Sequence, residues 1–205
     1  MPERIRFPGY STYAKRDTPS WNEATRIVVE KRLFSPPPRR FFTEEEWPLL
    51  RAVCDRIIPQ SAADRVPLEN FIDQKMAEKL GDGYQKAGNP DMQQMWRRGL
   101  HALDEEAKVR FGQPFIDLPG GRQDDILHMI QQGDVRSPAW EEVPPNGFFK
   151  GRLLHDIVTF YYGHPNGWDE MGFGGPASPR GYVRMGFDRH DPWDAVPAKP
   201  LPSDG

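Results

Sequence analysis

The stretch His164–Tyr182, which reads HPNGWDEMGFGGPASPRGY, limits the possible folds more than any other part of the sequence. Its prolines lack backbone donors, and its glycines favour special backbone angles over regular structure. Yet it carries large apolar side chains, among them Trp168, Phe173 and Tyr182, and leaving each such group in water is unfavourable by about 1.5–3 kcal/mol. We therefore predict an ordered irregular segment that packs on another protein, with wrapping over its own helices as the alternative.

The composition indicates a folded protein with a large non-regular part. Proline accounts for 22 of 205 residues, which is roughly twice the usual share. Aromatic residues make up 12%, which is too many for simple disorder. The net charge of -3 provides no basic stripe, so nucleic-acid binding is not expected. No apolar run is long enough to predict a transmembrane helix.

Five segments carry apolar residues at helical spacing, and no run alternates with period two for long enough to predict a strand. They are Thr43–Ile58, Leu68–Leu80, Pro90–Phe111, Arg122–Gln132 and Gly147–Tyr162. Thr43 and Glu46 have the spacing of a capping box, and Gly112 is suited to end a helix. The sequence predicts an all-α fold: a small five-helix bundle with an extended N-terminal arm and a long irregular C-terminal segment rich in Gly, Pro and aromatic residues.

The predicted regions are an arm over residues 1–40, a helical domain over 41–163 and an irregular partner-binding tail over 164–205. Within the arm, Trp21–Leu33 could form one short helix, and a disordered arm is the alternative. The triple proline at 36–38 then forms a stiff extended spacer.

The sequence offers no residue pattern for catalysis. A metal site built from His155, Asp156, His164 and Glu170 is conceivable, but its histidines lack the spacing of a helical metal pair. We expect capping, packing or exposed histidines instead. Cys54 is the single cysteine, so an internal disulfide is impossible, and its place on an apolar stripe predicts a small core residue.

A nucleotide site is not expected either. Gly172, Gly174 and Ala177 match the spacing G-x-G-x-x-A. A dinucleotide site needs a strand before this motif and a helix after it, and Pro176 and Pro179 oppose the helix. We therefore predict no catalytic, cofactor-binding or metal-binding residues in this chain.

The tail is predicted to bind a partner through rigid aromatic anchors on a backbone that Gly and Pro shape. Arg180, with Arg184 and Arg189, could clamp an anion or pair with carboxylates of another protein. The predicted partner-binding residues are His164, Pro165, Trp168, Phe173, Gly174, Gly175, Pro176, Pro179, Arg180, Tyr182 and Trp193.

Several motifs together resemble the gluconate 2-dehydrogenase subunit 3 family over roughly residues 41–187. They are RIIP (Arg56–Pro59), NFID (Asn70–Asp73), GLHALDEEAKVRFGQPFIDL (Gly99–Leu118), FFKGRLLHDIVTFYYGHP (Phe148–Pro165) and GGPASPRGY (Gly174–Tyr182). Each motif alone is a weak signal, whereas the central LDEEA segment and the PRGY end are fairly specific in combination.

The resemblance implies a non-catalytic small, gamma-type subunit that stabilises or matures a flavoprotein in a chaperone-like role. The partner would be an FAD-dependent dehydrogenase of the glucose–methanol–choline (GMC) type that oxidises a sugar, a sugar acid or a glycoside. The resemblance also leaves open a third subunit, which would be a c-type cytochrome with haem c. The alternative function is a helical scaffold or binding module for some other protein.

The resemblance also bears on location, because similar proteins often begin with a twin-arginine export signal. The first residues here contain no apolar region of the secretory type. The pair Arg39-Arg40 is followed by the acidic run Glu44–Glu46, so we interpret it as the lead-in to a helix. The expectation is a cytoplasmic chain as encoded, with a periplasmic location through co-export with the partner as the alternative.

Overall fold

Helices provide the regular structure of residues 7–62, 64–83, 90–183 and 186–198, which are the residues described by the structure, a computed structural model. These ranges contain the α-helices α1 (Glu23–Phe34), α2 (Glu46–Ile57), α3 (Leu68–Ala77), α4 (Met92–Phe111), α5 (Gly120–Gln132), α6 (Pro145–Phe148), α7 (His155–Tyr162) and α8 (Pro165–Met171). A π-helical segment, Phe149–Leu154, joins α6 to α7. Within the described ranges one isolated bridge, between Trp21 and Ser178, is the only β-type pairing. The predicted all-α class is confirmed.

The helix count exceeds the predicted five at both ends of the chain. The five predicted helices correspond to α2, α3, α4, α5 and the run from α6 to α7, while the arm contributes α1. The prediction of no regular structure after His164 is wrong for Pro165–Met171. Pro165 occupies the first helical turn, where its missing donor is not needed. His164 then caps the helix, because the Asn166 backbone N–H donates to its Nδ1 at 3.2 Å.

The start of α2 is fixed by the capping box that the sequence predicts. The backbone N–H of Glu46 donates to Thr43 Oγ1 at 3.2 Å, and the backbone N–H of Thr43 donates to Glu46 Oε2 at 2.8 Å. Two donors at the helix start are thereby satisfied. At the C-terminal end of α4, Gly112 adopts a φ of 74°, the left-handed conformation that ends many helices.

The chain divides into two compact units. The first unit contains the described residues of Met1–Pro36, Asp64–Val66 and Tyr161–Gly205, and the second contains those of Pro37–Ala63 and Pro67–Phe160. The N-terminal arm and the C-terminal tail therefore pack together as one unit, although they are far apart in sequence.

The core of the second unit is built around Trp96 on α4. Its indole ring meets the ring of Phe148 edge-on, with centroids 5.8 Å apart, and that of Phe42 with centroids 6.1 Å apart. Such edge-to-face pairs add about 0.5–1.5 kcal/mol beyond the burial of their area. Aliphatic side chains that are fully buried complete this core; they include Leu50, Leu68, Ile72, Leu100, Leu103, Ile126, Ile130 and Leu153.

Glycine at position 99 permits the close packing of α4 against Phe148. A Cβ at this position would overlap the buried ring of Phe148. We expect Gly99→Ala to lower the free energy of unfolding by about 1–3 kcal/mol, although alanine favours a helix over glycine. Urea unfolding followed by circular dichroism measures the change.

The matched control for this prediction is Gly121→Ala on α5, where an added Cβ would meet nothing within 4 Å. Alanine there should stabilise the chain by about 0.5–1 kcal/mol, because only helix propensity changes. Equal effects of the two variants would contradict the packing explanation.

Two buried carboxylates fasten non-helical segments onto helices of the second unit. Asp73 accepts the backbone N–H groups of three successive residues, 40 to 42, at 2.6–2.9 Å. Glu106 accepts those of Arg136 and Ser137 at 2.8–3.0 Å and is ion-paired with Arg110 at 2.7 Å. Burial disfavours the Glu106 carboxylate, yet these bonds outweigh it and hold the pKa of Glu106 below its ordinary value.

Candidate protein-interaction surface

The first unit is held by a small aromatic cluster that joins the arm to the tail. We call Trp21, Val29 and Trp168 the arm–tail cluster; their exposed fractions are 4%, 1% and 8%. Tyr13 and Leu33 pack against it. The indole N–H of Trp168 donates to the carbonyl of Tyr162 at 2.8 Å, so this ring is satisfied inside its own chain.

A ladder of hydrogen bonds runs from the arm to the backbone carbonyls of the tail. The hydroxyl of Tyr10 donates to the carbonyl of Phe173 at 3.2 Å, and the Lys15 ammonium donates to that of Gly174. The Trp21 indole donates to Pro176 at 2.8 Å, and the Asn22 backbone N–H donates to Ser178 at 2.7 Å. The arm thus supplies donors that a proline- and glycine-rich tail cannot supply for itself.

Close approach of the arm depends on Gly175. Its φ of 63° lies in the left-handed region, and a Cβ there would overlap the Thr12 side chain. Any other residue at this position would be strained and would push the arm away. The close approach that this glycine permits is therefore made by the chain's own arm.

Two ionisable groups lie where the arm meets the tail, the half-buried Asp169 and the buried Lys15. The backbone N–H of Thr12 donates to Asp169 Oδ1 at 2.6 Å. Burial raises the pKa of Asp169, and the hydrogen bonds from Thr12 offset this only in part. Burial also lowers the pKa of Lys15. Both groups are thus held in surroundings that disfavour their charges, and hydrogen bonds compensate for part of the lost hydration.

His164 acts as a structural joint in the first unit. Its Nδ1 accepts the Asn166 N–H, which assigns the proton to Nε2, and Nε2 donates to the carbonyl of Arg32 at 3.0 Å. Burial lowers the pKa of this imidazole, which favours the neutral form that both bonds require. His164 therefore caps α8 and ties it to the end of α1.

The predicted partner-binding residues fall into three groups. His164, Pro165, Trp168 and Gly175 are buried within the first unit. Gly174, Pro176, Arg180 and Trp193 are half-buried, whereas Phe173, Pro179 and Tyr182 are exposed. The exposed group is the part of the predicted surface that a partner can reach directly.

Arg180 organises the last described part of the tail instead of standing free. Its guanidinium lies over the ring of Trp193, 4.7 Å from the centroid. It also forms an ion pair with Asp191 at 3.3 Å and donates to Ser20 Oγ at 3.2 Å. Arg189 is exposed, and Arg184 lies outside the described residues. An anion clamp formed by all three arginines therefore stays a prediction.

The first unit exposes most of the large apolar side chains found on the described surface. Tyr182 is 70% exposed and Phe187 is 99% exposed. In the first unit the exposed large apolar side chains are those of Ile27, Val28, Phe34, Tyr162, Met171, Phe173, Tyr182, Val183, Phe187 and Val196. In the second unit they are those of Leu80, Val109, Ile116 and Leu154. None of the described helices is long and apolar enough to cross a membrane. Exposed apolar side chains are typical of interaction sites where they form a contiguous patch, so this unit is the candidate surface for a partner.

A charged cluster in the second unit is the one group of described residues with the geometry of a metal site. Ligand atoms of Asp82, His155 and Asp156 lie within 4.8 Å of one another. Lys75 contacts both carboxylates, with its Nζ 2.7 Å from Asp156 Oδ1, and Arg152 lies 2.8 Å from Asp82 Oδ2. The chain's own cations thus already neutralise these carboxylates.

The other residues considered for a metal have different roles. Glu170 and His164 belong to the first unit, where the hydroxyl of Tyr161 donates to Glu170 and His164 caps α8. The structure thus supports structural roles for them. Cys54 is buried on α2, in agreement with its predicted place in the core.

The sequence did not predict that the arm packs on the tail. Thr12, Lys15 and Ser20 are buried there although they are polar. A usable signal was present, because Tyr10, Tyr13 and Trp21 give the arm an aromatic density that solvated tails lack. No pattern in the sequence indicates where on the tail these aromatic side chains make their contacts.

Comparison with known proteins agrees with the motifs. The family model for Gluconate 2-dehydrogenase subunit 3 matches residues 44–175, which is more than half of the chain. No curated protein and no solved structure matches. The matched range begins just before α2 and ends at Gly175, so it includes α8 and excludes the arm. The chain therefore belongs to the gluconate 2-dehydrogenase subunit 3 family, the family of one subunit of a dehydrogenase complex.

Proposed function

We propose that this chain is a non-catalytic accessory subunit that stabilises or matures the flavoprotein of a dehydrogenase complex. The partner is an FAD-dependent enzyme of the GMC type that oxidises a sugar, a sugar acid or a glycoside. FAD is then held by the partner, and a c-type cytochrome with haem c is the candidate third subunit. The observation that carries the proposal is the family match over residues 44–175.

The surface of the first unit supports a role in binding. A subunit that works through assembly needs an apolar surface that becomes buried in the complex. Phe173, Tyr182 and Phe187 provide such a surface on the tail. Side chains that line a substrate pocket are enclosed, whereas these lie on exposed segments, where they suit contact with another protein.

Co-expression tests the proposal. The full-length chain carries an affinity tag, and an untagged candidate flavoprotein of the GMC type from the same organism is produced in the same cells. We expect the flavoprotein to co-purify at a fixed ratio, with flavin absorbance in the complex and none in the tagged chain purified alone. The flavoprotein produced without this chain should be less soluble or less active.

Two results would contradict the proposal. One is a flavoprotein that is equally soluble, active and flavin-loaded whether or not the chain is present, with no complex recovered. The other is dehydrogenase activity of the tagged chain by itself, which would show that this chain is catalytic.

A further inference from the structure

Residues 10–20 of the arm meet the tail through polar groups. The ring of Tyr13 packs on Trp21 and Phe34, which belong to the arm itself. Every residue that is buried between positions 11 and 20 is polar or charged: Thr12, Lys15 and Ser20. Closing this segment onto the tail therefore removes little apolar surface from water, although such removal is the main favourable term in most packing.

The ammonium of Lys15 is buried without a carboxylate beside it. Lys15 is 3% exposed, and its Nζ donates to the carbonyl of Gly174. No described carboxylate lies within ion-pair distance of that nitrogen. Two carboxylates act on it from further away, but Asp191 pairs with Arg180 at 3.3 Å, and Asp194 accepts the backbone N–H of Asp191 at 3.0 Å. Burial of a charge without an ion-pair partner is unfavourable, and it lowers the pKa of Lys15.

Asp169 on α8 carries the opposite charge and has no cation beside it. Its Oδ1 accepts the backbone N–H of Thr12 at 2.6 Å. Among the described residues, no lysine, arginine or histidine lies within ion-pair distance of this carboxylate. Asp169 is half-buried, and burial raises its pKa. Lys15 and Asp169 thus each lose hydration on closure, and neither gains an ion pair in return.

We propose that residues 10–20 form a strap that opens from α8 and from residues 173–175 while the arm–tail cluster stays closed. The hydrogen-bond ladder favours closure and the charges of Lys15 and Asp169 oppose it, so the strap opens more often than the first unit unfolds. Opening frees the Asp169 carboxylate and the carbonyls of Phe173 and Gly174 to accept hydrogen bonds from another molecule. This device does not depend on the proposed function, and its test needs this chain alone.

Hydrogen exchange of the full chain, measured at single residues, tests the strap. Two backbone N–H groups report on the two parts of the joint. That of Thr12 donates to Asp169, and that of Asn22, beside the arm–tail cluster, donates to the carbonyl of Ser178 at 2.7 Å. After correction for intrinsic rates, we expect Thr12 to exchange at least about tenfold faster than Asn22, because opening of the strap exposes Thr12 alone.

Removal of either charge should hold the strap closed. Lys15→Met keeps a long unbranched side chain. It should slow exchange at Thr12 about tenfold, because relief of charge burial exceeds the loss of one hydrogen bond to Gly174. Asp169→Asn keeps an acceptor oxygen for Thr12 and should slow exchange there as well. The matched control is Lys31→Met, which replaces an exposed lysine of the same arm and should leave exchange at Thr12 unchanged.

Three results would overturn the strap. Equal exchange at Thr12 and Asn22 would show that the first unit opens as a whole. Faster exchange in Lys15→Met would show that the ammonium fastens the arm through its bond to Gly174. Exchange at Thr12 that neither charge-removing variant changes would show that these charges do not control opening. If Lys15→Met loses the far-UV circular dichroism of the unmodified chain, Asp169→Asn decides.

Discussion

Replacing Asp156 by alanine is expected to lower the free energy of unfolding by about 3–5 kcal/mol, the largest change among the single substitutions considered. The Asp156 carboxylate is fully buried and accepts hydrogen bonds from the Lys75 ammonium at 2.7 Å and the Trp96 indole at 2.8 Å. Its removal leaves the ammonium of a largely buried lysine with Asp82 as its remaining ion-pair partner. Urea unfolding of the full chain, followed by circular dichroism, measures the change.

An exposed ion pair provides the control for this prediction. Asp125 pairs with Arg122 at 3.2 Å, and both side chains are about half exposed. Asp125→Ala should change stability by about 0.5 kcal/mol or less, because water screens such pairs. The stability loss for Asp156→Asn should lie between those of the other two variants, since the amide oxygen can still accept the hydrogen bond from Trp96. A stability loss for Asp156→Ala as small as that for Asp125→Ala would show that Lys75 and Trp96 find other partners.

Ending the chain after Gly163 is expected to abolish co-purification with the flavoprotein while leaving the helical circular dichroism of α2–α7 nearly unchanged. The truncation removes α8 with Trp168, so the arm loses its packing partner, and it also removes the exposed Phe173 and Tyr182. Pull-down of the co-expressed flavoprotein, together with a far-UV spectrum, measures both effects.

Two further variants show which loss matters. A chain that ends after Ala195 keeps the contacts of Arg180 with Asp191 and Trp193, and it should bind normally. Phe173→Ser/Tyr182→Ser alters two exposed side chains and removes one ring contact, that of Phe173 with Trp168 at 6.1 Å between centroids. It keeps α8 and should weaken binding about tenfold or more. Retained binding after truncation at Gly163 would refute the prediction that the tail binds the partner. Loss of the helical signal would instead show that the tail is needed for the fold.

The sequence predicts the helices of the second unit because their signals are local. Thr43 and Glu46 form a capping box within one turn, and the apolar residues of α4 recur at helical spacing up to Gly112. The π-helical segment Phe149–Leu154 escaped prediction. An apolar run such as FFKGRLLHDIVTFYY carries too little contrast between faces to reveal a change of helical register.

The candidate surface is harder to predict because its contacts join distant residues. Trp21 and Pro176, which share a hydrogen bond, lie 155 positions apart. No periodic pattern links such residues, and a count of Gly and Pro in the tail indicates disorder or a linker. The sequence does indicate that the tail aromatics need cover. It does not indicate that, for Trp168, the arm provides this cover.

The hydrogen-bond ladder between arm and tail has a consequence for the order in which the chain folds during synthesis. Residues 37–160, which contain the second unit, are synthesised before α8 and the tail carbonyls of residues 173–178. The arm is translated first, yet Trp21 and Lys15 find their tail partners last. During translation these side chains of the arm therefore remain uncovered until the tail is made. In a product truncated before the tail they remain uncovered permanently. Closure of the first unit then marks a chain whose tail has been translated at least as far as Ser178.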